Sequence, residues 1–355
     1  MLLRGLGIFL IITHNYMHWL PDCVDENEYT FSVERIGQLC DYLMHGGPHV
    51  ILNILSHFGH YGVAIFLFLS GYGLVKKYEG PQTEDNNHSS PLRFLFSHAM
   101  KLWKLMIPAV LLFVIIEMMQ GTWNRPLSRL FPLLGFYSNL QPHRDLILGP
   151  WWWFGLMMQF YLLWRLLIFN RSRWLLYSVM AVCVVAVLGV AWIERGELDS
   201  AKTLTCYLHY NFPPSMLAFG LGVADARYKL EWLHRWWSPL VGLVILIIGS
   251  FNAGIWTVSS VGALMVALSF TSNSESKATG RILYVNPRMI LIFLGSISAW
   301  LFALHPVVRE YTIDMAKQDN EWLLYFSIVI YLCASIGLAW LATAVFGKKN
   351  STHTQ

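Results

Sequence analysis

Arg4, His14 and His18 sit in a stretch where most neighbours are apolar, MLLRGLGIFLIITHNYMHWL. An imidazole is the side chain best suited to exchange a proton near neutral pH. Helical rise separates Arg4 from His14 by about 15 Å along one helix, roughly half a hydrocarbon core. At about 100° per residue His14 and His18 share a face, with Arg4 offset from it by tens of degrees. Ionisable groups at membrane depth face a protein interior or a wet cavity and mark functional paths. The competing reading makes Arg4 a positive flank and the histidines a polar cap.

Further polar groups stand at the ends of other apolar runs. Ser70-Gly71-Tyr72-Gly73 interrupts VAIFLFLSGYGLVKK. Glycine there permits either a broken helix that offers amide dipoles or close packing of small residues. Arg93, Lys101 and Lys104, with Lys76 and Lys77, form a basic cluster that could hold phosphates, or anchor lipid headgroups and fix topology. His305 ends an apolar run, and His57, His60, His143 and His209 fall in or near polar loops. Glu117, Gln159 and Asp225 are buried by position, so each needs a partner.

The elements that must position these groups are membrane helices. The chain has 355 residues, of which 55% are hydrophobic and only 13% charged; mean hydropathy is +0.47. That charge share is about half the usual one. The fold class expected is all-α, a polytopic integral membrane protein with about ten transmembrane helices. Those spans fall at about 3–20 and 62–75, then up to Met119 behind a basic lead from Arg93 to Lys104. They continue at 151–169, 174–193, 212–226, 237–251, 254–271, 289–306 and 322–346. Lys76-Lys77, Lys101 and Lys104, Arg171 and Arg173, Arg227 and Lys229, Arg281 and Arg288, and Lys348-Lys349 mark alternate loops as cytoplasmic, with both termini inside. Arg125, Arg129 and Arg144 on the opposite side weaken this pattern without reversing it. Residues 1–347 read as one transmembrane domain and 348–355 as a short polar tail. The first apolar run lacks a small-residue cleavage site and is expected to stay as an anchor.

Of five cysteines, Cys183 and Cys333 read as apolar fillers, while Cys23 and Cys40 share an outer loop and could bridge if that side is oxidising. No P-loop, GxGxxG, GxSxG, HExxH or metal-ligand spacing is present, so soluble-enzyme motifs explain nothing here.

Four stretches, in order, resemble the integral-membrane acyltransferase 3 family, which acylates sugars of surface glycans. RGLGIFLIITHNY resembles its first helix, with an arginine and a histidine three turns apart. VAIFLFLSGYGLVKK is similar to the second, with its Phe-x-x-Ser-Gly-Tyr signature. WWWFGLMMQFYLLW resembles the segment in which acidic residues precede Gln-Phe-Tyr, and GSISAWLFALHPVV the late helix ending in His-Pro. Three departures stand out. Nine residues, not ten, separate Arg4 from His14, so an ungapped match puts Asn15 at the histidine position. Lys101-Leu102-Trp103-Lys104 replaces Arg-x-x-Arg, keeping charge but losing the bidentate fork. Met157 and Met158 stand where acids are usual.

The resemblance implies transfer of an acyl group, most simply acetyl, from cytoplasmic acyl-CoA (acetyl-CoA) to a hydroxyl of a cell-envelope carbohydrate or glycolipid. The setting would be a bacterial inner membrane among its lipids, with no metal and no nucleic acid. His14 would be the general base, opening onto one crevice with Arg4, which would join Lys101 and Lys104 in binding the CoA phosphates at the cytoplasmic mouth, while His18 would help orient the acceptor. Lys101, Lys104, Arg93 and Ser70, Gly71 and Tyr72 would hold the donor, the last three also supplying oxyanion donors. His305 and Gln159 would orient the acceptor. A secondary transporter or exporter of a polar solute or glycan is the competing class; inverted repeats would favour it, and none is evident.

Overall fold

A computed structural model describes residues 1–47, 49–79, 90–141, 146–272 and 286–347. Lys348-Lys349 and the tail, His143, Arg144, Arg281 and most of the 81–91 loop lie outside the described residues.

Among the described residues every regular element is a helix. The principal ones are α1 (Leu2–Met17), α2 (Val33–His45), α3 (Val50–Phe58), α4 (Gly62–Tyr78) and α5 (Pro91–Gln120). After a one-turn α6 (Leu130–Leu134) come α7 (Trp152–Leu163), α8 (Arg173–Ile193), α9 (Leu204–His209) and α10 (Phe212–Tyr228). The chain closes with α11 (Ser238–Phe251), the single turn α12 (Ala253–Trp256), α13 (Ser260–Ser272), α14 (Pro287–Ala316) and α15 (Glu321–Phe346). Five stretches are long and apolar enough to cross a membrane: Val50–Tyr78, Pro91–Gln120, Arg173–Ile193, Pro287–Ala316 and Glu321–Phe346. Leu2–Met17, Ser238–Phe251 and Ser260–Phe270 are apolar but shorter.

Two cores organise the bundle. One gathers α1, α5, α14 and α15 around Ile12, Tyr16, Phe113, Leu301 and Tyr331. The other gathers α4, α8, α10 and α13 around Phe68, Met180, Phe219 and Leu264. α7 is the wall between them: Phe154 and Met157 face the first core, Leu156 and Phe160 the second.

In lipid the helices gain little from burying apolar surface against each other, so close backbone approach matters more. A Cβ on Gly5 would lie 1.7 Å from the Leu291 carbonyl oxygen, and one on Gly295 would lie 2.4 Å from that of Met1. α1 and α14 therefore touch backbone to backbone. The same holds for α4 and α10, where a Cβ on Gly71 would meet the Phe219 oxygen at 2.3 Å. α4 is continuous through Ser70–Gly73, so its glycine serves packing and not a break.

Cys23 and Cys40 are free thiols and form no bridge. Burial, with the Asp22 charge beside it, pushes the Cys23 thiol up to about 12. Cys23 packs with the first core, whereas Cys40 packs on the small cluster of Val24, Ile36 and Leu39.

Candidate active site

The polar segment after α1 folds back as a roof over the end of that helix. Asn53 on α3 accepts a hydrogen bond from the Val24 N–H at 2.8 Å, and Ser56 Oγ donates to the Val24 carbonyl at 2.5 Å. Asn27 Oδ1 then accepts from the N–H groups of Tyr29 (2.9 Å) and Thr30 (2.8 Å), an Asx turn that reverses the chain at Glu28. Arg35 clamps the turn by donating to the Thr30 carbonyl at 2.9 Å while pairing with Glu26 and Asp199. Tyr29 stacks on Tyr210 at 4.0 Å between ring centroids, fixing the roof to the start of α10.

His14 lies beneath this roof, 3% exposed. Its Nδ1 is 2.7 Å from the Ser56 carbonyl oxygen, which can only accept, so Nδ1 carries a proton and Nε2 is the nitrogen left to gain or lose one. Nε2 in turn lies 3.7 Å from Glu28 Oε2, long for a hydrogen bond but within ion-pair reach. Burial drives the Glu28 carboxyl up, yet contacts from His14, Tyr29 and its own backbone together hold it below the ordinary carboxylate range. The close approach that aligns Ser56 with His14 depends on Gly59, where a Cβ would lie 2.7 Å from both the Leu10 oxygen and the His14 Cβ.

His18 stacks on His14 at 4.8 Å and donates from Nδ1 to the His14 carbonyl oxygen at 2.7 Å. His60 meets His14 edge-on at 5.6 Å. Asn15 shares the same space, but its amide bonds back to the Ile11 carbonyl at 3.0 Å and cannot act as a base. His14, Asn15, His18 and Glu28 line a cavity of about 690 Å³, with Trp19, Tyr210, Asp25 and Arg309 also on its walls.

Several expected partners are elsewhere. Arg4 is exposed near the opposite end of α1, by the Tyr161 phenol, and does not line the His14 cavity. The ten-residue separation on a straight helix leaves no other arrangement, so the two do not share one crevice. Ser70 Oγ donates to the Phe66 carbonyl at 2.7 Å, and the N–H groups of Ser70, Gly71 and Tyr72 lie within a continuous helix, which rules them out as oxyanion donors. Tyr72 lies under the Lys76 ammonium, 5.4 Å from its ring centroid.

Gln159 is engaged on both sides of its amide, donating to Asn211 Oδ1 at 2.7 Å and accepting from the Phe212 N–H at 3.0 Å. It ties α7 to the start of α10. His305 is 0% exposed, donates from Nδ1 to Leu301 O at 3.0 Å, and does not line the cavity. Its Nε2 has no hydrogen-bond partner among the described residues. Glu117 and Asp225 also prove structural: Tyr311 donates to the first at 3.1 Å, and the Leu230 N–H to the second at 2.9 Å.

At the Arg4 end, Lys101 and Lys77 are near enough for their charges to repel. Lys104 and Arg93 are exposed there. Buried His98, 4.4 Å from the Tyr161 ring, joins the two lysines to the Arg4 neighbourhood.

A second trio has the connectivity of a nucleophile relay: Ser250 Oγ lies 3.3 Å from His57 Nε2, and His57 Nδ1 lies 3.0 Å from Glu26. Ser250 donates its proton to the Leu246 carbonyl at 2.9 Å, and Glu26 answers to Arg35, so the trio braces the roof. Among the described residues no three His, Cys, Asp or Glu side chains converge as a metal site.

The family model for the acyltransferase domain of type 3 matches residues 2–344. The chain belongs to the acyltransferase 3 family. No curated protein and no solved structure matches it. As a member of that family it is an integral membrane acyltransferase, and the match takes in both ends of α1 and every residue of the His14 cavity. Sequence reasoning singled out neither Glu28 nor Ser56 nor Arg309. Glu28 was one acid among several in its loop, and the Ser56 contribution is a backbone carbonyl. Arg309 lay just past the apolar run ending at His305, where a basic residue reads as a flank.

Proposed function

We propose that this acyltransferase moves an acyl group, acetyl in the simplest case, from cytoplasmic acyl-CoA to a hydroxyl of a cell-envelope or exported glycan, with His14 as general base. The observation that carries the reading is the setting of His14: the Ser56 carbonyl holds Nδ1–H, so Nε2 is the nitrogen free to exchange a proton at the cavity wall, with the Glu28 carboxylate 3.7 Å away to balance its charge once protonated. An alcohol is a weak nucleophile until a base removes its proton during attack. Nε2 would take that proton as the hydroxyl oxygen bonds to the thioester carbon. The carbon–sulfur bond then breaks, and the proton passes to the departing thiolate as CoA leaves. Glu28 would stabilise the imidazolium that exists between the two transfers.

The donor's phosphates fit the other end. Two neighbouring ammonium groups, Lys77 and Lys101, form a site that an anion relieves, and Arg4 stands by. Arg4 and His14 are about 15 Å apart along α1, so the thioester arm would run that length. His18, stacked on His14, would hold the acceptor. The reading further proposes ten membrane passes with both termini cytoplasmic, in a bacterial inner membrane. Transport of a polar solute loses the broken second helix on which it would draw, because α4 is continuous.

The test is His14→Gln in purified protein supplied with acetyl-CoA and envelope glycan, following thiol release and glycan acetylation. The expected loss is about 10²–10⁴-fold, with unfolding temperature little changed. Undiminished activity removes His14 from the role.

A further inference from the structure

We propose that the His14 cavity holds an anion subsite built on Arg309, and that the acceptor is accordingly a sugar bearing a carboxylate or phosphate group. This rests on the reading of that cavity as the acceptor's side.

Arg309 is 7% exposed and lines the cavity with His14, His18 and Trp19. A guanidinium carries five N–H donors in one plane. Among the described residues Arg309 makes a single hydrogen bond, Nη1 to the Asn15 carbonyl oxygen at 3.3 Å, and its Cζ lies 5.4 Å from the Trp19 ring centroid. Two half-buried arginines are answered by acids: Arg35 by Glu26 and Asp199, Arg227 by Glu79. Among the described residues no carboxylate pairs with Arg309. Glu310, next in the chain, lines the cavity without an ion pair to it, and Glu28 is turned to His14.

A buried charge without a counter-ion carries a heavy desolvation penalty. Capping the end of α1 through Asn15 accounts for one N–H and leaves the rest. The cation–π contact with Trp19 and the Asn15 bond hold the guanidinium ready, and its fork matches both carboxylate and phosphate oxygens. The surroundings suit a sugar better than a bare ion. The cavity's about 690 Å³ lies in the range of small-molecule sites, and Asp25 on its wall can accept from hydroxyls.

Thermal unfolding in detergent micelles tests this with D-glucuronate, D-glucose 6-phosphate, D-glucose and inorganic phosphate at matched ionic strength. The inference expects one or both sugar anions to raise the unfolding temperature while glucose does not. Arg309→Gln should weaken sugar-anion binding at least tenfold, and Arg309→Lys less, because it keeps charge without the fork. Equal shifts from glucose and the sugar anions, or an undiminished shift in Arg309→Gln, overturn the inference. An inorganic phosphate shift matching that of the sugar anions overturns its sugar part. If Arg309→Gln fails to fold, the Arg309→Lys concentration series decides. Thiol release from acetyl-CoA in the same wild-type preparation reports separately on the acyl-transfer reading. Anion binding with no turnover leaves Arg309 in place and removes that reading.

Discussion

Glu28 borders two spaces at once, the large cavity under the roof and a smaller one of about 80 Å³ walled by His60, Trp152 and His209. His209 is a neutral wall there, its imidazole lowered to about 4 by burial despite the Thr205 carbonyl that accepts its Nδ1–H. Glu28 is the charged member, and its carboxyl is held below the ordinary range by His14 and Tyr29 against the pull of burial. A carboxyl with a depressed folded-state pKa contributes stability that is fully present above its unfolded value, about 4.3. That stability is lost as pH falls through the folded value. Glu28→Gln has given it up at every pH. At neutral pH the variant should unfold a few degrees below wild type, about 1–2 kcal/mol, and the gap should close below about pH 4. Thermal scans from pH 7 to pH 3 measure this. A gap that widens in acid contradicts the assignment. Turnover should also fall, because the imidazolium forming on His14 loses its counter-charge, whereas a purely structural Glu28 would leave kcat intact in the folded fraction.

At the scale of elements, the two glycines of Ser70-Gly71-Tyr72-Gly73 look alike in sequence and differ in space. A Cβ on Gly71 runs into the Phe219 carbonyl of α10, a backbone atom that cannot swing aside, whereas a Cβ on Gly73 meets nothing within 4 Å. Gly71→Val should therefore destabilise by about 1–3 kcal/mol through overpacking. Gly73→Ala should be neutral or stabilising by up to about 1 kcal/mol; unfolding temperatures of the two variants check the contrast. These helices were legible in the sequence because long apolar runs bounded by basic residues encode their own length and ends. His14 was legible too, since an imidazole in such a run has few ordinary reasons to be there. The contacts that make it a site were not. Ser56 is 42 residues away along the chain and acts through its backbone, and Glu28 faces inward only because Asn27 turns the loop. Gln159 misled for the same reason: its partner Asn211 lies 52 residues on, so its engagement was invisible until the helices were packed.

Over the whole molecule, charge separates along the bundle axis. α1, α5 and α14 begin at one end and α4, α7, α10 and α15 finish there, as the contacts Tyr78–His98, Tyr78–Trp164, Arg227–Glu79 and Trp300–Phe346 require. That end carries Arg4, Lys76, Lys77, Lys101, Arg227 and both chain ends of the described fold. The other carries the roof with Asp22, Asp25, Glu26 and Glu28, and beside it Glu194, Glu197, Asp199 and Glu310. Basic loops stay in the cytoplasm during insertion, so the orientation proposed above puts the Arg4 end inside and the His14 cavity outside. This separation is what a transferase needs if its donor is made within the cell and its acceptor is exported. Alkaline phosphatase fusions in bacterial cells test it, because that enzyme needs disulfides and folds only on the oxidising side. A fusion after Pro126, in the loop beyond α5, should be active, and fusions after Arg171 and after Gly347 should be silent. Activity at Gly347 would put the C-terminal end outside, and the Lys77–Lys101 pair with it, beyond the reach of cytoplasmic CoA.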